Sequence, residues 1–300
     1  MKKLLNIILL SVAVLLLLVF VLLPAEMRIN KSITIRQNAA AVSRAFSEKQ
    51  KWQQWWTPDA FTYYPENFSA QAQMVGRFRL GNENGLAANI QLVDLGIDST
   101  LLVCEAALPR TNNPYTRLQY FFGRMQLVKQ LEQQLSSVKQ FAEKDANVYG
   151  MNIAQVKVMD SVLISVRQQF AAVPATNEIY EMINDLKQYL KSQGAMEANH
   201  PMLHMEQRSK GYDVMVAIPL NKSIAETDRY RIKRMVLGNI LEAEVRGGPG
   251  TVRQAMLELE HYRTDHKKIS PAIPFELLVT DRSMEPDSTK WITRLYYPVI

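Results

Sequence analysis

Several things this chain lacks narrow its nature at once. It has one cysteine in 300 residues, Cys104, so no internal disulfide can form, and its place in the apolar run Leu101 to Leu108 reads as a buried thiol. Twelve glycines and 13 prolines are too few for a collagen-like or low-complexity chain. No block of five like charges occurs, so no nucleic-acid-binding arm is expected. The Gly-x-Ser-x-Gly elbow, the Walker loop and the His-Glu-x-x-His helix are all missing, which removes the strongest catalytic signatures. What is present is a folded profile, 47% hydrophobic and 21% charged, with room for about two domains. Lys and Arg number 35 against 29 Asp and Glu, and the formal charge of +6 favours anionic surroundings without naming one.

One long apolar run stands out, Leu4 to Leu23, broken only by Asn6 and Ser11. As a helix it would rise about 30 Å, the thickness of a bilayer's hydrocarbon core. A cleaved signal peptide is the rival, but its core is usually about 7 to 15 residues and ends in a small-x-small site. The expectation is therefore an uncleaved transmembrane anchor over residues 1–25, contacting the membrane through residues 4–23. With Lys2 and Lys3 held in the cytoplasm, the protein would be a single-pass bacterial inner-membrane protein with its folded part in the periplasm.

Beyond the anchor, Ile29 to Arg36 alternates as a strand, and Asn38 offers an N-cap to a short helix over Ala39 to Phe46. Trp52, Trp55 and Trp56 cluster next; packing under a sheet, a ligand portal and lipid contact are all open to them. Strand-like runs follow at Gln73 to Leu80, Ala88 to Leu95 and Ser99 to Leu108. From Tyr115 to about Lys144, apolar residues from Leu118 through Phe121, Phe122, Met125 and Leu131 to Phe141 recur at three- and four-residue steps, predicting a long helix with one apolar stripe.

This order, with Ile33-Thr34-Ile35 entering a short helix, Trp52, Trp55 and Pro58 after it and Gly123 starting the last helix, resembles the START-like (SRPBCC, polyketide-cyclase-like) helix-grip family. The resemblance implies a curved sheet wrapping the long helix around an apolar cavity, over residues 26–147. Only about four strands fit between Pro58 and Pro114 where the family has about six, so the cavity is expected to be smaller or open.

Residues 148–300 show a weak internal repeat, each copy running strand, helix, strand, strand. The first copy comprises Val156 to Val166, a helix over Asn177 to Ser192, a strand near Pro201 to Glu206 and Tyr212 to Leu220. The second comprises Ile240 to Arg246, a helix after Gly247-Gly248-Pro249-Gly250, Phe275 to Thr280 and Trp291 to Ile300. Ile218-Pro219-Leu220 and Tyr297-Pro298-Val299 end the two copies alike. The expected fold class is thus α+β: a transmembrane helix, a helix-grip domain and a duplicated βαββ domain.

The Tyr212-x-Val-x-Val-x-Ile-Pro strand, the Gly247-Gly248 turn, Pro274-x-Glu276 and the terminal aromatic-Pro strand together resemble the GyrI-like family, the effector-binding module of AraC-type and MerR-type regulators. That resemblance implies two repeats around a cleft and an acidic residue, here Glu276, facing a ligand that is often cationic and aromatic. The residues themselves agree that Glu276 interrupts Phe275, Leu277, Leu278 and Val279, and a carboxylate among apolar side chains takes a raised pKa or attracts a cation. A solvent-facing strand position is the alternative. Leu278 stands where the family has Tyr, and Trp291, Tyr296 and Tyr297 are candidates to supply aromatic surface in its place.

The remaining signals are weak. Pro201 between His200 and His204 argues against a shared metal, His261 and His266 read as a solvated helix end, and Gly247-Gly248-Pro249-Gly250 reads as a tight turn rather than a phosphate loop. The expected ligand-binding set is Glu276, Leu278, Tyr212, Trp291 and Tyr296, with no catalytic residue, metal or cofactor assigned. The reading is a membrane-tethered protein that binds an apolar or cationic small molecule. Hydrolysis of strained electrophilic toxins in the same cleft and a non-catalytic envelope scaffold are the alternatives.

Overall fold

A computed structural model describes residues 2–48, 51, 54–55, 61–64, 75–80, 86–108, 110–158 and 162–300. The chain divides into two compact units, Met1–Val148 and Tyr149–Ile300.

The first unit opens with helix α1 (Lys2–Leu22). Among the described residues no helix is long and apolar enough to cross a membrane. That finding overturns the transmembrane part of the expected fold class, the membrane contact through residues 4–23 and the single-pass inner-membrane placement. Polar groups interrupt α1 at Asn6 and Ser11, whose hydroxyl donates back to the Ile7 carbonyl at 2.9 Å. Its last turn is held by protein: Val19 is buried, and Arg117 donates to the carbonyls of Phe20 and Leu23 at 3.2 and 3.0 Å.

Five antiparallel strands follow, β1 (Met27–Ile35), β2 (Phe61–Tyr64), β3 (Val75–Leu80), β4 (Leu86–Gly96) and β5 (Ser99–Leu108), in the sheet order β1-β5-β4-β3-β2. Alternating burial along β1 puts Ile29 and Ile35 inside and their polar neighbours outside. Helix α2 (Ala39–Ser47) starts where Asn38 accepts from the Ala40 amide, satisfying an otherwise orphaned donor. Helix α3 (Pro114–Ala142) begins with Asn113 capping and Pro114 in its first turn. Gly123 therefore lies inside this helix and not at its start. Of the predicted stripe only the second half is covered: Leu131, Leu135, Val138 and Phe141 are buried, whereas Phe121, Phe122 and Met125 are exposed. Trp55 is buried against Phe46 and Phe141, with ring centroids 5.3 and 6.4 Å away. Trp52, Trp56 and Pro58 lie outside the described residues, as do the side chains of β2 and β3 that an enclosed cavity would need. A single turn, α4 (Asp145–Val148), ends the unit.

The second unit is an eight-stranded antiparallel sheet carrying two helices, α5 (Thr176–Ser192) and α6 (Pro249–Asp265). Its strands are β6 (Ala154–Lys157), β7 (Val162–Phe170), β8 (Met202–Arg208), β9 (Gly211–Pro219), β10 (Arg231–Arg234), β11 (Asn239–Arg246), β12 (Phe275–Leu278) and β13 (Ile292–Val299), in the order β10-β7-β9-β8-β12-β13-β11-β6. Chain segments β7-α5-β8-β9 and β11-α6-β12-β13 thus share one order, and their strands mirror each other about the β8–β12 seam. The predicted strand from Val156 to Val166 is in fact two: β6 pairs with β11, and β7 pairs with β9 and β10. Hydrophobic pattern ran the two together, because it carries no information about which strand each piece pairs with.

Alternate strand residues face the helices. Ile164, Leu203, Val214, Val216, Ile218 and Leu278 pack with α5, and Leu241, Ala243, Leu295, Tyr297 and Val299 with α6. The tight β8–β9 hairpin turns on Gly211, whose φ of +99° suits glycine, and a Cβ there would lie 2.0 Å from the Phe170 carbonyl oxygen. Gly211→Ala is expected to destabilise the protein by about 1–3 kcal/mol, read as a lower urea midpoint with an unchanged slope.

Candidate functional site

Register places Glu276 at the centre of the second unit. It pairs with Leu203 on β8 and Leu295 on β13, and cross-strand partners share a face. Leu203 belongs to the α5 cluster and Leu295 to the α6 cluster, so the Glu276 carboxylate stands where the two hydrophobic clusters meet, its side chain 17% exposed. Seam pairing between β8 and β12 is confined to Leu203–Glu276 and Met202–Leu277. Beyond it a cavity of about 310 Å³ opens, lined by Thr176 and Ile179 of α5, Arg253 and Met256 of α6, Tyr212, Phe275 and Glu276.

Burial drives the Glu276 pKa above its ordinary 4.5, because the charged form loses hydration, and the Arg282 and Arg253 guanidinium groups only partly offset this. Arg282 Nη2 lies 3.7 Å from Glu276 Oε2, an ion pair too long for a direct hydrogen bond. Arg282 is itself buried, with a side chain 4% exposed. Three groups hold it: Nη2 donates to Thr293 Oγ1 at 2.8 Å, its guanidinium carbon lies 5.0 Å from the Trp291 ring centroid, and its backbone N–H donates to the Tyr180 hydroxyl at 2.6 Å. Tyr180 in turn donates to the Thr280 carbonyl at 3.3 Å, and burial raises its pKa. Arg282 Nε is buried with no hydrogen-bond partner among the described residues.

His204 also lines the cavity. Its Nδ1 lies 2.7 Å from the Pro274 carbonyl oxygen, which can only accept, so Nδ1 carries the proton. Its Nε2 is buried as well, without a partner among the described residues. The wall therefore offers one carboxylate and two guanidinium groups above an apolar floor.

Of the residues expected at a ligand site, Glu276 and Tyr212 line this cavity together. Leu278 does not join them; it is buried in the α5 cluster. Trp291 is buried beneath Arg282, its Nε1 donating to the Glu285 carbonyl at 2.8 Å, and supports the wall without lining it. Tyr296 lies on the other face of the sheet: it pairs with Phe275 and their rings stack at 5.1 Å. Burial and the adjacent Glu242 push its pKa up to about 12. Arg282 and Arg253 were not read from the sequence. A turn arginine six residues past Glu276 has no period or spacing that marks it.

No family model and no curated protein matches the chain. Solved structures with a similar fold include the EcmrR C-terminal domain, at 18% identity and a TM-score of 0.44, covering 50% of this chain and 98% of that one. SAV2435 bound to tetraphenylphosphonium matches at 17% identity and 0.35, covering 50% and 94%. The ZhuI aromatase/cyclase of Streptomyces sp. R1128 matches at 12% identity and 0.28, covering 39% and 94%. These are likenesses of shape.

Tyr180 and Thr293 are the supports on which Arg282 depends. Tyr180→Phe leaves the Arg282 N–H without its acceptor and is expected to lower unfolding free energy by about 1–3 kcal/mol, measured by urea denaturation. Thr293→Val, which keeps the volume and removes the acceptor for Nη2, is expected to fall in the same range.

Proposed function

We propose that the second unit is a small-molecule-binding module, and that its ligand is an uncharged, mainly apolar molecule donating one hydrogen bond to Glu276. One observation carries this reading: an ionisable carboxylate, held between two hydrophobic clusters, opens into a cavity and has no donor within hydrogen-bond distance among the described residues. At about 310 Å³ the cavity lies at the small end of the usual range for ligand pockets, roughly 300–1,000 Å³. Ile179, Leu203, Met256 and Phe275 offer an apolar bed, and Glu276 fixes orientation.

Charge decides against a cation. A ligand ammonium about 4 Å from the carboxylate gains roughly 4 kcal/mol at an effective dielectric of about 20. A guanidinium about 6 Å away repels it by roughly 3 kcal/mol. Two guanidinium groups border the same cavity, so the attraction is cancelled. A neutral N–H or O–H gains the hydrogen bond without that repulsion.

Indole, 1-methylindole and tryptamine separate the possibilities by calorimetric titration of the full chain. Indole, with its N–H, is expected to bind more tightly than 1-methylindole, and tryptamine, a cation at neutral pH, more weakly than either. Glu276→Gln is expected to weaken indole by about 1–3 kcal/mol, the range for a hydrogen bond to a charged group. Equal affinities for indole and its methylated form would remove the role assigned to Glu276.

The pH dependence has a definite sign. Because the folded-state pKa of Glu276 is raised, the native protein keeps this proton after the unfolded chain has released it, and the group's contribution to stability declines as pH rises through the folded value. Binding runs the other way, since the protonated acid no longer offers a charged acceptor. Indole affinity is expected to fall on acidification with a midpoint above 4.5, and the midpoint is expected to vanish in Glu276→Gln.

A further inference from the structure

The face of the second sheet turned away from α5 and α6 holds a cavity of its own. Met202, Met215, Ala217, Leu163 and Pro298 alternate with residues of the two helix-side clusters, so strand periodicity sends them to the opposite face, and together they line a hollow of about 370 Å³. Its outer walls are Lys233 and Arg234 of β10 with Met235 and Val236 after them, and Ala272 with Ile273 before β12. Val236 and Ile273 are exposed, an apolar rim on an apolar floor.

Electrostatically this hollow is the reverse of a cation site. Arg167, Lys233 and Arg234 line it, and there is no Asp or Glu among its described lining residues. Arg167 is already neutralised by Asp213, with both contacts at 2.8 Å. Lys233 and Arg234 are exposed on their edge strand and have no ion-pair partner among the described residues. Three methionines, Met202, Met215 and Met235, give the floor an adaptable surface suited to a flexible chain. An apolar floor with the Lys233 cation at its edge matches a molecule with a greasy body and one anionic head.

We propose that this cavity binds a small amphipathic carboxylate, its alkyl chain on the methionine-lined floor and its head group at Lys233, which pairs with Leu163 and so shares the face of the hollow. His204 and Phe275 line both this hollow and the one containing Glu276, so the two sites share a wall while facing opposite sides of the sheet. The assignment does not rest on the ligand proposed for Glu276.

Calorimetric titration of the full chain with decanoate, decanol and decyltrimethylammonium at low ionic strength tests it. Decanoate is expected to bind at least tenfold more tightly than decanol, the trimethylammonium to bind more weakly still, and decanoate affinity to fall as salt is added. The surface double substitution Lys233→Gln, Arg234→Gln is expected to bring decanoate down to the level of decanol. Glu276→Gln is expected to leave decanoate binding within twofold of the unmodified chain. Equal affinities for decanoate and decanol would overturn the proposal, as would a double variant that binds decanoate normally. So would loss of decanoate binding in Glu276→Gln, which would place the carboxylate in the other cavity and leave the indole titrations unaffected as a separate test.

Discussion

A carboxylate set between two hydrophobic clusters is the constraint around which the second unit is organised. Glu276 takes that position because β12 pairs on one side with Leu203 and on the other with Leu295. A charge there loses water on both flanks, and a counter-charge is needed nearby. Arg282 provides it, and being buried itself it must be held in turn, by Thr293, by the face of Trp291 and through the backbone contact to Tyr180. The arrangement is long at its centre, 3.7 Å between Arg282 and Glu276, and that slack leaves the carboxylate without a direct hydrogen bond from its counter-charge. A closer pair would have satisfied the acid and closed the site chemically.

Strand periodicity accounts for two cavities of different character on one sheet. Residues at even and odd positions of β8, β9 and β12 go to opposite faces, so Leu203, Val214, Val216 and Glu276 meet the helices while Met202, Met215, Ala217 and Phe275 meet the covering segments. On the helix side one carboxylate stands against two guanidinium groups. Among the described residues the charged groups lining the other side are all cations, Arg167, Lys233 and Arg234, on an apolar floor. The short seam between β8 and β12 lets His204 and Phe275 border both, because the strands separate beyond two paired residues.

Much of the local architecture was legible before any coordinates. Asn38 capping α2, the long helix α3 from about Tyr115 and the strand Ser99–Leu108 follow from side-chain chemistry and period that act within a few residues. Where the reading failed, a long-range partner decided. Hydrophobic pattern joined β6 and β7 into one strand, although their pairing partners are different strands of the sheet. The stripe of α3 was read correctly as apolar, yet only its second half is covered, because burial depends on what else packs there. The long apolar run of α1 suggested a span by composition, while its last turn is tied to Arg117, 94 residues away from Leu23 in sequence.

By itself the sequence determined most of the helices and strands and the shared order of the two repeats, and it singled out Glu276, since capping, alternation and an acid in an apolar run are local properties. Only the tertiary structure decided what surrounds that acid. Leu278 and Tyr296 were separated from it by core packing and by strand parity, and Arg282, Arg253 and His204 were brought to it by a turn, a helix and the neighbouring strand. Charge compensation inside a fold is set by distance in space, and no spacing along the chain encodes it.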